Sequence, residues 1–154
     1  LYSHGMTDNE TEEFWTEREQ QYGGEIRFRS FARLLGSTLR EERELSGLLF
    51  LAGETLVFED FEKESALMGF IMKTSKKKYE KTVYEIPFDD ISRVKPVTQG
   101  AAKRKLSGVP GETEEISSLA AFFGRPVQEV ILSSEERLYF EVLDKRSLKE
   151  LLQL

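Results

Sequence analysis

Serine, lysine and carboxylate side chains are what this chain has to do chemistry with. It contains no cysteine and a single histidine, His4. Thiolate nucleophiles, disulfides and cysteine-ligated zinc are therefore excluded. A Ser-His pair would have to use His4. That residue lies in Leu1–Gly5, which looks like a protease-tag and cloning remnant ahead of Met6. Acids abound, 28 in all, and cluster as Glu41-Glu42, Glu59-Asp60, Asp89-Asp90 and Glu112–Glu115. These fall in loops or near the ends of predicted elements and read as a solvated surface. Carboxylate catalysis needs two acids held in a pocket with separated proton affinities. A Ser-Lys or carboxylate mechanism stays formally open. No phosphate loop, dinucleotide fingerprint or EF-hand spacing occurs. The chain reads as a non-enzymatic binding module with no catalytic residue, cofactor or metal.

Binding chemistry is easier to place. Lys73, Lys76, Lys77, Lys78 and Lys81 set five cations against Glu80 in one polar segment. Such a loop can dock on an anionic membrane surface, each cation contributing on the order of 1 kcal/mol; equally, its lysines can guard a strand edge from aggregation. Lys103, Arg104 and Lys105 form a second basic group in a Gly/Ala/Ser-rich stretch. Arg27, Arg29 and Arg33 alternate with apolar residues and share one outward face with Phe31, where acids of neighbouring strands could meet them. Phe122 adjoins a predicted helical stripe. Packing is its default role, and an exposed position would make it an apolar anchor for another chain. The net charge of −6 argues against nucleic acid as a partner.

The elements that must position these residues follow from periodicity. A chain of 154 residues makes one domain, and no stretch reaches the roughly 20 apolar residues a spanning helix needs. Absence of cysteine suits a reducing compartment such as the cytoplasm. Residues 6–24 form a helical extension: Phe14, Arg18 and Tyr22 recur at helical spacing over Glu10–Tyr22, with Trp15 beside them, and Gly23-Gly24 ends the pattern. Phe14 and Trp15 would dock this helix on the domain. From Glu25 the period is two through Leu34. Leu45–Leu51 and Leu56–Phe61 flank Ala52-Gly53-Glu54-Thr55, a tight hairpin. Ala66–Lys73 reads as a fourth strand and Val83–Phe88 as a fifth, kept at an edge by Pro87.

Asp89–Ser92 reads as a turn, and from Pro96 to Glu112 the pattern dissolves. Thr113 is placed to cap a helix whose apolar residues Ile116, Leu119, Ala120 and Phe123 would be buried. Gly124 and Pro126 stop it. Val127–Leu132 and Arg137–Leu143 form a last hairpin, and Asp144 is placed to cap a final helix carrying Leu148, Leu151 and Leu152 on one face.

Three segments carry a resemblance. Gly47-Leu-Leu-Phe-Leu-Ala-Gly-Glu-Thr-Leu-Val-Phe58, Ile86-Pro-Phe-Asp-Asp-Ile-Ser-Arg-Val94 and Val127–Leu152 resemble the hairpin between the second and third strands, a strand end and the closing hairpin-helix of the pleckstrin-homology-like superfamily, in its GRAM and bacterial PH-like branch. The likeness runs from Glu25 to Leu154, departing at an insertion of about 96–125. It implies a mainly β, strongly bent antiparallel barrel of seven strands with a C-terminal capping helix. It also implies a binding or adaptor role toward a protein, a peptide, another copy or an anionic lipid. Phosphoinositide-binding members place cations in the loop equivalent to Gly36–Glu44, which here has two arginines against three glutamates. Arg29-x-x-x-Arg33 matches the arginine spacing of cyclic-di-GMP-binding PilZ barrels, whose companion Asp/Asn-x-Ser-x-x-Gly is missing.

Overall fold

The computed structural model describes residues 8–40, 44–61, 82–144 and 148–152. They order as α1 (Asp8–Tyr22), β1 (Ile26–Ser37), β2 (Leu45–Ala52), β3 (Thr55–Asp60), β4 (Val83–Pro87), a 3-10 turn (Phe88–Asp90), β5 (Ile91–Val97), α2 (Gln99–Leu106), α3 (Ser118–Phe123), β6 (Val127–Leu132), β7 (Arg137–Val142) and α4 (Leu148–Leu151). The seven strands make one antiparallel sheet in the order β4-β3-β2-β1-β7-β6-β5. Register irregularities at Ile26/Phe28, Leu34/Gly36 and Ile91/Arg93 add twist, and the sheet curls into a half-barrel.

Alternation decides what each face buries. Leu34, Leu49, Leu51, Leu56, Phe58, Val94, Val130, Leu138 and Phe140 point inward, and Leu148 and Leu152 of the C-terminal segment close this inner core. The outer face is covered twice. Over β1–β3, α1 packs Trp15 against Leu48, Phe50, Ala52 and Val57. Two-sided burial explains why β2 reads as an unbroken apolar run rather than an alternating one. Over β5–β7, α2 packs Ala102 against Val97, Val127 and Tyr139. The end of α1 also crosses the β2–β3 turn at very short range. A Cβ on Gly24 would sit 2.3 Å from the Cα of Gly53, whose φ of +59° shapes that turn.

The mainly β, seven-stranded antiparallel class is as expected, with a helix at each end, but one reading is corrected. The predicted strand Ala66–Lys73 lies outside the described residues, and β5, expected as a turn followed by irregular chain, is a strand. β5 hides its character because Arg93 and Lys95 interrupt its apolar residues and Pro96 looks like a breaker. At a sheet edge that proline costs no ladder bond, and Lys95 is buried through pairing with Glu129. The insertion is also ordered at its start: the Thr98 hydroxyl accepts from Ala101 N and caps α2.

Candidate functional site

α3 is the element the fold uses least. Its cap is Ser117, whose hydroxyl accepts from Ala120 N, and not Thr113 as the spacing predicted. None of its residues is buried. Leu119, Phe122 and Phe123 are 68%, 58% and 76% exposed, which overturns the expected packing of that stripe. Ala120 is exposed as well, and Ile116 is half-buried. Phe122 and Phe123 meet edge to face with centroids 5.2 Å apart. The sheet beneath has no room for them, because α2 and the chain leading to α3 already cover it.

Thr113 shows how that cover is held. Its hydroxyl lies 2.7 and 2.6 Å from the two carboxylate oxygens of Glu129, a residue with no solvent exposure. The same carboxylate accepts from Tyr139 Oη at 2.6 Å and from Arg137 at 3.2 Å, and Lys95 Nζ stands 3.5 Å away. Lys95 also donates to the Thr113 carbonyl at 2.6 Å. A fully buried acid is tolerated when every oxygen is met this way. Burial and the bond to Glu129 push the Tyr139 phenol well above its ordinary range. Hydrogen bonding from Arg137 holds Glu112 below the usual carboxylate value. Lys95 and Glu129 are buried, and the network fastens the insertion to the sheet.

The acid clusters divide accordingly. Glu59 and Asp60, expected in solvent, are buried at the end of β3. Arg18 of α1 grips Glu59 through two bonds of 3.1 and 2.9 Å, and Asp60 accepts from Thr82 N. Glu112 pairs with Arg137 and Lys95, and Glu115 with Arg93. Among the described residues no cluster of acids or histidines is arranged to hold a metal ion. None of their helices is long and apolar enough to cross a membrane.

The cations separate too. Lys73, Lys76, Lys77, Lys78 and Lys81 lie outside the described residues. Lys103, Arg104 and Lys105 sit in the last turn of α2, where positive charge complements the helix dipole. Lys105 donates to the Gly111 carbonyl at 2.8 Å, and Arg104 borders an open cavity shared with Glu112, Glu114 and Glu115. Arg33 pairs with Glu141 directly across on β7, and with Glu44. Arg27 donates to the Gly53 carbonyl.

Beside α3 the outer face opens into a groove. A cavity of about 300 Å³ is lined by Phe31, Phe61, Gly47, Ala121 of α3, Gly124–Pro126 after it, Gln128 and Glu141. It shares Phe31, Leu143 and Asp144 with a second cavity of about 320 Å³ against Trp15, Arg29 and Leu48. Leu143, at the junction, is 63% exposed. Sequence reasoning picked out Phe122, which lines neither cavity, and missed Arg125 and Gln128, which line the first. A lone glutamine in an apolar closing strand was the one available signal.

Comparisons with known proteins add little. No family model matches the chain, and no curated protein matches it. Among solved structures, the C-terminal domain of an unknown protein from Leishmania infantum is similar at 11% identity, over 88% of this chain and 86% of that one, with a TM-score of 0.47. A likeness at that level carries no functional argument.

Proposed function

We propose that this chain is a non-enzymatic, PH-like binding module of the GRAM or bacterial PH-like kind, cytoplasmic, that recognises a protein partner through the apolar face of α3. The observation that carries the reading is the exposure of Leu119, Phe122 and Phe123 on a helix that buries nothing. Exposed aromatic anchors at that density are costly in water unless something covers them, and they are what interface hot spots are made of. The sheet order, with β4 and β5 at opposite edges and a helix closing the inner core, supports the superfamily assignment. The pairing of Glu112, Glu115 and Glu129 with cations supports a role other than acid–base catalysis.

The test leaves the scaffold intact. Deleting the insertion would uncover Tyr139 and strip Glu129 and Lys95 of Thr113, so surface substitutions are cleaner. Immobilised chain should retain a partner that mass spectrometry identifies, and the purified partner should bind at least tenfold more weakly to Leu119→Ser/Phe123→Ser (about 1.4 kcal/mol). Equal binding by this variant, with equal oligomeric mass, rules the reading out.

A further inference from the structure

α3 has to be aimed by the chain on either side of it, because none of its own residues is buried. After α3 the chain is fixed where β6 begins, with Val127 buried and paired to Val97 and Glu141. Before α3 one residue stands out. Among the described residues strictly between Ala102 and Val127, Thr113 alone is buried. It reaches three strands at once. Its hydroxyl bonds the Glu129 carboxylate of β6 and accepts from Arg137 of β7 at 3.5 Å, and its carbonyl accepts from Lys95 of β5. Three residues on, Ile116 N donates to the Pro96 carbonyl at 3.0 Å. The next residue, Ser117, caps α3.

Valine would fill the same space as Thr113, so the hydroxyl is what distinguishes this position. A hydrogen bond to an ionised carboxylate is stronger than a neutral one and fixes direction as well as distance. A helix presented at a fixed angle also binds with less ordering cost than one that swings. We infer that Thr113 is a positioning residue for the docking face: its bond to Glu129 fixes the chain entering α3, and so the direction in which Leu119 and Phe123 are presented. This rests on the binding-module reading and deepens it. The affinity of the face is then set in part by a buried residue of the polar network rather than by the exposed side chains alone.

Thr113→Val keeps the shape and removes the hydroxyl. Glu129 retains Tyr139, Arg137 and Lys95, so no buried charge loses its counter-charge. Amide exchange at Ile116 and Ala121 should rise about tenfold, while β1–β3 keep the parent rates. Affinity for the purified partner retained by the immobilised chain should fall at least about threefold. Thr113→Ser, which restores the donor, should recover both. Glu112→Gln weakens the adjoining pairs with Arg137 and Lys95 at a side chain 70% exposed. It should move the same amides in the same direction, and it decides the matter where the valine variant does not fold. Unchanged exchange at Ile116 and Ala121 in the deciding variant, or an equal rise throughout β1–β3, overturns the inference. So does a serine variant that behaves like the valine one. If Thr113→Val binds the partner as the parent does while Leu119→Ser/Phe123→Ser binds weakly, the positioning role falls and the module reading stands. If all three bind alike, both fall.

Discussion

Two helices of the outer layer carry an adjacent aromatic pair, and they use it in opposite ways. In α1, Phe14 and Trp15 meet edge to face at 4.9 Å, and Trp15 continues onto Phe50 at 5.3 Å. In α3, Phe122 and Phe123 meet edge to face at 5.2 Å and stay in water. The difference lies beneath the helices. The outer face of β2 and β3 offers Leu48, Phe50 and Val57, on which Trp15 packs. The outer face of β6 and β7 is already closed by α2 and by the Thr113–Glu129–Tyr139 network. The first pair holds the fold together; the second leaves Phe123 76% exposed.

The comparison breaks most readily at Trp15. Trp15→Ala removes the ring that joins α1 to the sheet and should destabilise the fold by about 3–5 kcal/mol, read as a lower urea midpoint. A midpoint shift below about 1 kcal/mol would show that α1 is not required. Second is the polar fastening of the other cover. Glu129→Gln leaves Lys95 and Arg137 without their buried counter-charge and should cost about 3 kcal/mol, with amide exchange rising first over residues 99–117. Uniform exchange would mean the network does not hold that segment.

A pH titration sharpens the same contrast. Burial and the charges of Glu85 and Glu59 raise the Tyr22 phenol of α1 to about 12, against about 10 in an unfolded chain. The folded state therefore holds this proton longer, so stability is intact below about pH 10 and is lost as pH rises toward 12. Thermal midpoints should fall across that window, and Tyr22→Phe should flatten the fall. A Tyr22→Phe profile matching the parent would contradict the burial of this ring. The smallest effect belongs to α3: Leu119→Ser/Phe123→Ser should move the urea midpoint by no more than about 0.5 kcal/mol.

Much of the scaffold is legible from residue pattern alone. The docked N-terminal helix, the hairpin at Gly53, the edge position of β4 and the closing hairpin follow from period, turn chemistry and proline. β5 was hidden because Lys95 looks exposed until Glu129, far along the chain, buries it. The stripe Ile116, Leu119, Ala120, Phe123 has the spacing of a buried helix face, and only the tertiary arrangement shows its burial site occupied. Gln128 and Arg125 are anonymous in sequence; the cavity they line is assembled from segments far apart in the chain, β1, β2, β7 and the end of α3.

Calorimetric titration of the captured partner into parent and Leu119→Ser/Phe123→Ser protein, with urea midpoints measured on the same samples, tests the division most directly. The account predicts at least about a tenfold loss of affinity with unchanged midpoints. Equal affinities, or a midpoint that falls with the binding, would show that α3 serves the fold rather than a partner.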